Sequence, residues 1–300
     1  MATVQGLIVK STGGLYTVET AAEETVPCRA KGAFRKEKLS PLTGDRVSVE
    51  LTAEDGSGFI TGICPRRNSL VRPAVANVDL LVLVAAAAKP APDRFILDKL
   101  TAIARFHGIE TLLVVNKCDV ADAEELAATY RASGVDTVTL SANDSSASAD
   151  ALDYIREKTR DKISFFSGAS GVGKSSLLNA LFPHLALETG EISRKIDRGK
   201  HTTRVTVLYK TAPHTYIGDT PGFSMVDVAG FNLLPFDSLL AAFPDIERYA
   251  VGCRYTDCTH LCEDGCSVMK AVNEGKIMPS RHESYVRLYR ELKDKKPWNS

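Results

Sequence analysis

From Gly168 to Ser175 the chain reads Gly-Ala-Ser-Gly-Val-Gly-Lys-Ser. Glycines let such a loop curl until its N–H groups point inward at phosphate oxygens. A helix starting where the loop ends adds the positive end of its dipole. The lysine reaches the β and γ phosphates, and the hydroxyl that follows it is a ligand for Mg²⁺. The setting fits: Ile163 to Ser167 reads as a strand, and Ser175 to Phe182 as a helix with Leu177, Leu178 and Leu181 inward. Gly168, Ala169, Ser170, Gly171, Val172, Gly173, Lys174, Ser175 and Ser176 are expected to hold a nucleotide's phosphates, with Lys174 also catalytic.

A second group addresses the base. Asn116-Lys117-Cys118-Asp119 follows an apolar stretch, Thr111 to Val115, at the carboxyl end of a strand, where α/β sheets bind ligands. A carboxylate only accepts, so Asp119 suits the ring N–H and exocyclic amine of guanine. Adenine presents the opposite pattern and would leave those groups unpaired. Asn116 reaches the other edge of the base, the Lys117 stem covers its face, and Ser141-Ala142 offers backbone N–H groups. Asp219-Thr220-Pro221-Gly222 ends another strand; Asp219 is expected at Mg²⁺ and the Gly222 N–H at the γ-phosphate. Between these segments lies Gly199-Lys200-His201-Thr202-Thr203-Arg204. One of its threonines completes the Mg²⁺ shell, so the expected set is Ser175, Asp219 and Thr203, with Thr202 as the alternative.

Four of the seven cysteines crowd together, and Cys253-x₄-Cys258-x-His260-x₅-Cys266 supplies three thiolates and an imidazole. That donor set suits one tetrahedral structural zinc with no open position for catalysis. Cys262 competes with His260 for the fourth place; His260 is preferred. Metal would stabilise a knot too short to hold itself.

These groups need elements to position them. Hydrophobic residues make up 44% of the 300 and charged residues 25%, which excludes a disordered or collagenous chain. Lys plus Arg and Asp plus Glu each total 37, so the chain is not globally basic. Residues 1–68 read as all-β, with strands at 4–10, 15–20, 46–51 and 58–63, a spacing that suggests a small barrel of the OB type. The connection between the second and third of these carries Arg29, Lys31, Arg35, Lys36 and Lys38 against Glu37, a basic loop of the kind OB-folds use on nucleic acid. Cys64 to Pro73 marks a linker. Strands are then expected at 79–87, 110–116, 136–141, 162–167, 204–210 and 214–218, and helices at 93–106, at 122–133 and after Gly173. Ser141 to Asp150 reads as a mobile loop. Beyond about residue 232 the pattern is helical. No stretch is long and apolar enough to span a membrane, no leader is visible, and the cysteine usage fits a reducing, cytoplasmic compartment.

The order of the motifs is unusual. An ordinary GTPase places its phosphate loop first and its guanine loop last, whereas here residue 116 precedes 168 and the segments at 199–204 and 219–222 follow. The same parts are circularly permuted, which preserves a site when chain ends lie close together. The expected fold class is an α/β P-loop GTPase domain, circularly permuted, at 69–232. It follows an N-terminal all-β OB-fold RNA-binding barrel at 1–68 and precedes a C-terminal helical zinc-binding domain at 233–300.

On these motifs the chain resembles the ribosome small-subunit-dependent GTPases, over its whole length. The resemblance implies GTP hydrolysis to GDP and phosphate, stimulated by the small ribosomal subunit, in late maturation of that subunit and in contact with its rRNA. It also supports the zinc arrangement. Many GTPases place a water-orienting glutamine after the Asp-x-x-Gly motif, but here Phe223 stands there. The resemblance assigns that work to His201, whose near-neutral pKa suits it. Arg194, Lys195, Arg198, Lys200 and Arg204, with Lys293, Lys295 and Lys296, add basic surface for phosphates. No dimer signature appears, so a monomer is expected. The rival readings are an RNA-binding module with a vestigial nucleotide fold, and a P-loop kinase or ATPase.

Overall fold

A computed structural model of the chain describes residues 3–32, 34, 39–52, 56–71, 73–185, 206–219 and 233–294. The chain divides into two units. One joins Met1–Leu80 to Asp153–Ser167 and Leu178–Phe223; the other joins Leu81–Leu152 to Gly168–Leu177 and Ser224–Ser300.

In the first unit, β1 (Thr3–Thr12), β2 (Leu15–Thr20), β3 (Thr25–Ala30), β4 (Arg46–Leu51) and β5 (Gly58–Ile63) pair in the order β1-β2-β3-β5-β4. Pairing of β4 with β1 closes the barrel. Among the described pairings of these five strands, only that of β3 with β5 is parallel. This five-stranded closure is the OB-like barrel. Alternation aims Ile8, Val18, Val26, Val47, Val49 and Ile60 inward, where they form one core. The unit also holds β11 (Ile163–Gly168), β12 (Thr206–Ala212) and β13 (Thr215–Asp219), in the order β11-β13-β12. Strand β1 splits its partners: Thr3–Leu7 pairs with β4, while Lys10 and Ser11 pair with Val207 and Thr206 of β12.

Two expectations change in this unit. Arg29 belongs to β3, not to a loop. The alternation of Val26, Cys28 and Ala30 is short and carries Pro27, which weakens the strand signal. The linker is anchored: short strand β6 (Ser69–Leu70) lies inside it and pairs with β7 (Val75–Ala76) just beyond it. Arg66 donates through Nε and a terminal nitrogen to both oxygens of the fully buried Asp45, each at 2.8 Å. A bidentate pair fixes orientation as well as distance.

The second unit contains β8 (Leu80–Ala86), buried along its length, beside β9 (Glu110–Asn116), which pairs in parallel with β10 (Asp136–Thr139). Helix α1 (Arg94–Phe106) starts where Asp93 Oδ1 accepts from Ile96 N at 3.0 Å. Helix α2 (Glu124–Ala132) follows β9. Helix α3 (Ala149–Thr159), which the sequence reading did not assign, begins inside the expected loop. That loop is tied at its base: Ser148 Oγ accepts from Ser141 N and donates to Ser141 O, both at 3.0 Å. Helix α4 (Lys174–Leu181) follows the glycine loop. The tail supplies α5 (Pro244–Ala250), α6 (Ser267–Asn273) and α7 (Pro279–Lys293).

Helices α1, α5 and α7 meet around a buried guanidinium. Arg281 donates to Asp98 at 2.7 Å and, bidentately, to Asp245 at 3.0 and 2.9 Å. Its guanidinium carbon lies 4.7 Å from the centre of the Phe243 ring. Burial pushes the Asp98 carboxyl above its ordinary range, and Arg281 pulls it back only in part.

Candidate functional site

The phosphate cradle begins at the end of β11. Gly168 has no room for a side chain, because a Cβ there would sit 2.5 Å from the Val84 carbonyl oxygen. Gly173 is constrained twice over: its φ is +89°, and a Cβ would collide with Asn116 Nδ2. Lys174 and Ser175 open the first turn of α4, both half-buried, and Ser176 is exposed. Val172 is buried under the loop, while Ala169, Ser170 and Gly171 are open to solvent.

Asn116 ends β9 and is buried at 2% exposure. Its Nδ2 donates to the Val172 carbonyl at 2.9 Å, and its Oδ1 accepts from Ala142 N at 2.9 Å. One amide thus ties the phosphate loop to the Ser141-Ala142 corner. Lys117 takes a positive φ of 67° and donates from Nζ to the carbonyls of Gly171 and Lys89, both at 2.6 Å. Ser141 Oγ donates to Asp119 Oδ1 at 2.5 Å. Asp119 itself is exposed, so this bond aims the carboxylate while leaving acceptor sites open. Hydrogen bonds thus bring residues 116–119, 141–142 and 168–176, far apart in sequence, into one group. Lys89 and Ser148 were not foreseen. Lys89 acts through its carbonyl, which no residue type encodes, and Ser148 stands in a serine-rich stretch without a pattern of its own. His201, Thr203 and Gly222 lie outside the described residues, as does the alternative Thr202. Asp219 closes β13, and its side chain lies outside the description.

The cysteine cluster lies between α5 and α6. The ligand atoms of Cys253, Cys258, His260 and Cys266 all fall within 4.8 Å of one another. With Zn–S near 2.3 Å and Zn–N near 2.0 Å, tetrahedral angles require about 3.8 Å between sulfurs and about 3.5 Å from sulfur to nitrogen. Cys253 Sγ lies 3.8 Å from Cys266 Sγ, and His260 Nδ1 lies 3.4 and 3.7 Å from those two sulfurs. The donor set therefore fits zinc before any ion is added. Cys262 is exposed and is not one of the four converging residues. His260 takes a positive φ of 61°, and its carbonyl accepts from His282 Nε2 of α7 at 2.7 Å. Glu263 gathers N–H bonds from Thr259, Leu261 and Cys262. Partial burial pushes its carboxyl up, but these bonds and the Thr259 hydroxyl outweigh it and hold it at about 2. Among the described residues no helix is long and apolar enough to cross a membrane.

Comparison with known proteins places this geometry. The family model described as RsgA GTPase matches residues 63–229, and that described as RsgA N-terminal domain matches residues 5–60. A small ribosomal subunit biogenesis GTPase RsgA of Caldanaerobacter subterraneus is 40% identical, with 98% of each chain covered. That of Bacillus subtilis is 37% identical, with 98% of this chain and 99% of the relative covered. Among solved structures, YjeQ from Thermotoga maritima superposes with a TM-score of 0.78 at 32% identity, covering 98% of this chain and all of that one. YloQ, described as a circularly permuted GTPase, superposes with a TM-score of 0.75 at 30% identity over 99% of this chain and 98% of its own. The motif order, the barrel and the cysteine cluster are accounted for together: the chain belongs to the RsgA GTPase family.

Proposed function

We propose that this chain hydrolyses GTP under stimulation by the small ribosomal subunit, in late maturation of that subunit and in contact with its rRNA, as a cytoplasmic monomer. The observation that carries the reading is Asn116, whose single amide bonds both the phosphate loop and the Ser141-Ala142 corner. A guanine held at Asp119 then has its phosphates directed into the Gly168–Ser176 loop. In this reading residues 1–68 are the RNA-binding barrel, 69–232 the permuted GTPase domain and 233–300 the zinc-binding domain.

The residues divide the work. Asp119 takes the guanine N–H groups, Asn116 and the Ala142 N–H shape the pocket around them, and Lys117 holds the loop under the base. Backbone amides of 168–176 receive the phosphates, and Lys174 neutralises charge as the γ-phosphate departs. Ser175, Thr203 and Asp219 would hold Mg²⁺, which when bound with GTP offsets the phosphate charge. By their motifs the Gly222 N–H would meet the γ-phosphate, and His201 would orient the attacking water in place of the absent glutamine. Cys253, Cys258, His260 and Cys266 would hold a structural zinc.

GTP turnover with and without purified small subunits tests this. Slow intrinsic hydrolysis should rise with added subunits, Lys174→Ala should abolish both rates, and His201→Ala should remove most of the stimulated rate. GDP, but not ADP, should displace bound guanine nucleotide. Turnover indifferent to subunits, or equal displacement by ADP, would refute the reading.

A further inference from the structure

The ladder between β10 and β9 ends at Thr139 and Val115, so the Ser141-Ala142 corner lies past the reach of the sheet. Its backbone is held by a side chain seven residues further on. Ser148 Oγ accepts from Ser141 N and donates to Ser141 O, both at 3.0 Å. A hydroxyl has one proton and two lone pairs, and here it closes on both polar groups of a single residue. Residues 143–147 are all exposed, whereas Ser148 is buried at 6% exposure. Its own carbonyl accepts from Leu152 N at 2.9 Å, which fixes Ser148 to the first turn of α3.

Two bonds carry this placement to the guanine side of the site. Ser141 Oγ donates to Asp119 Oδ1 at 2.5 Å, and Ala142 N donates to Asn116 Oδ1 at 2.9 Å. Ser141, Ala142 and Asn116 are buried, while Asp119 is exposed and takes its aim from the Ser141 bond. Accepting a ring N–H and an exocyclic amine together demands a fixed carboxylate plane, as any bidentate contact does. A single N–H tolerates rotation of that plane. Asn116 keeps its second hold, the Val172 carbonyl at 2.9 Å, so the phosphate loop has a support of its own.

We propose that Ser148 is a positioning residue for guanine selection: its hydroxyl sets the Ser141 backbone and, through the Ser141 hydroxyl, the plane of Asp119. The inference rests on the reading that Asp119 receives a guanine base. Without the Ser148 hydroxyl the buried Ser141 N–H loses its acceptor, and the corner shifts to find another. The carboxylate then meets one of the two guanine donors well and the other poorly.

The test uses the full chain with Ser148→Ala, Ser141→Ala and both together. Affinities for GDP and for inosine diphosphate, which lacks the exocyclic amine, are measured by nucleotide displacement. Ser148→Ala should weaken GDP binding on the order of tenfold, the size of one lost bond to a charged group. Inosine diphosphate should lose less than about threefold, so the preference for GDP narrows. Ser141→Ala should narrow that preference as much, and the double variant no further, because both side chains act through one bond to Asp119. A GDP affinity within about twofold of wild type in Ser148→Ala would overturn the proposal. So would equal losses for the two nucleotides, the mark of a merely loosened fold, or additive narrowing in the double variant. A wild-type chain that binds ADP or inosine diphosphate as tightly as GDP would instead sink the guanine reading beneath it.

Discussion

Two charged junctions, one in each unit, are built on opposite terms. In the helical junction Arg281, Asp98 and Asp245 are 3%, 1% and 5% exposed, and three helices depend on their bonds. In the barrel junction Glu19 and Lys210 are 11% and 27% exposed, and Lys210 has a second acceptor in Glu23. A buried charge without its partner has nowhere to turn, because water cannot replace the lost bond. A charge at the surface edge trades partners at little cost. The first arrangement suits a joint that must not move, and the second one whose setting can be adjusted.

Breaking the buried joint should have the largest effect. Arg281→Ala strands two carboxylates in the interior and should lower unfolding free energy by about 3–5 kcal/mol, read by urea denaturation. Replacing Arg281, Asp98 and Asp245 together with apolar residues of similar volume should recover most of that loss; if it does not, the bonds matter for more than neutralising one another. Zinc removal should come next. A strong chelator should loosen 253–266 before β8–β10, seen as earlier hydrogen exchange there, and metal analysis of the purified chain should give one zinc. Uniform loosening would break the link between the donor cluster and local stability. Smallest of all, Lys210→Met should cost about 1 kcal/mol or less, and 1 M salt should mask most of the difference, whereas the Arg281→Ala effect should persist in salt.

What the sequence revealed follows the same division. Phosphate and guanine chemistry dictates residue types at close spacing, so 116–119 and 168–175 were legible at once. Thiolate chemistry made 253–266 legible for the same reason. Strands β8, β9 and β11 are visible as apolar runs, because burial on both faces leaves no alternation to confuse. The junctions were not visible. Arg281 lies 183 residues from Asp98, and Lys210 lies 191 from Glu19. Each of these four side chains has the composition of solvated surface, and only the folded chain shows what it faces. β3 was hidden by Pro27, and α3 by the serine-rich stretch before it.

The divided pairing of β1 carries a practical consequence. Its far half, at Lys10 and Ser11, covers the outer side of β12, which has β13 on its other side. Deleting the barrel would leave β12 as a bare edge of unpaired amides and carbonyls, an invitation to pair with another molecule. A shortened chain lacking its first five strands should therefore clump rather than behave as a smaller enzyme, and the barrel doubles as the sheet's guard against self-association.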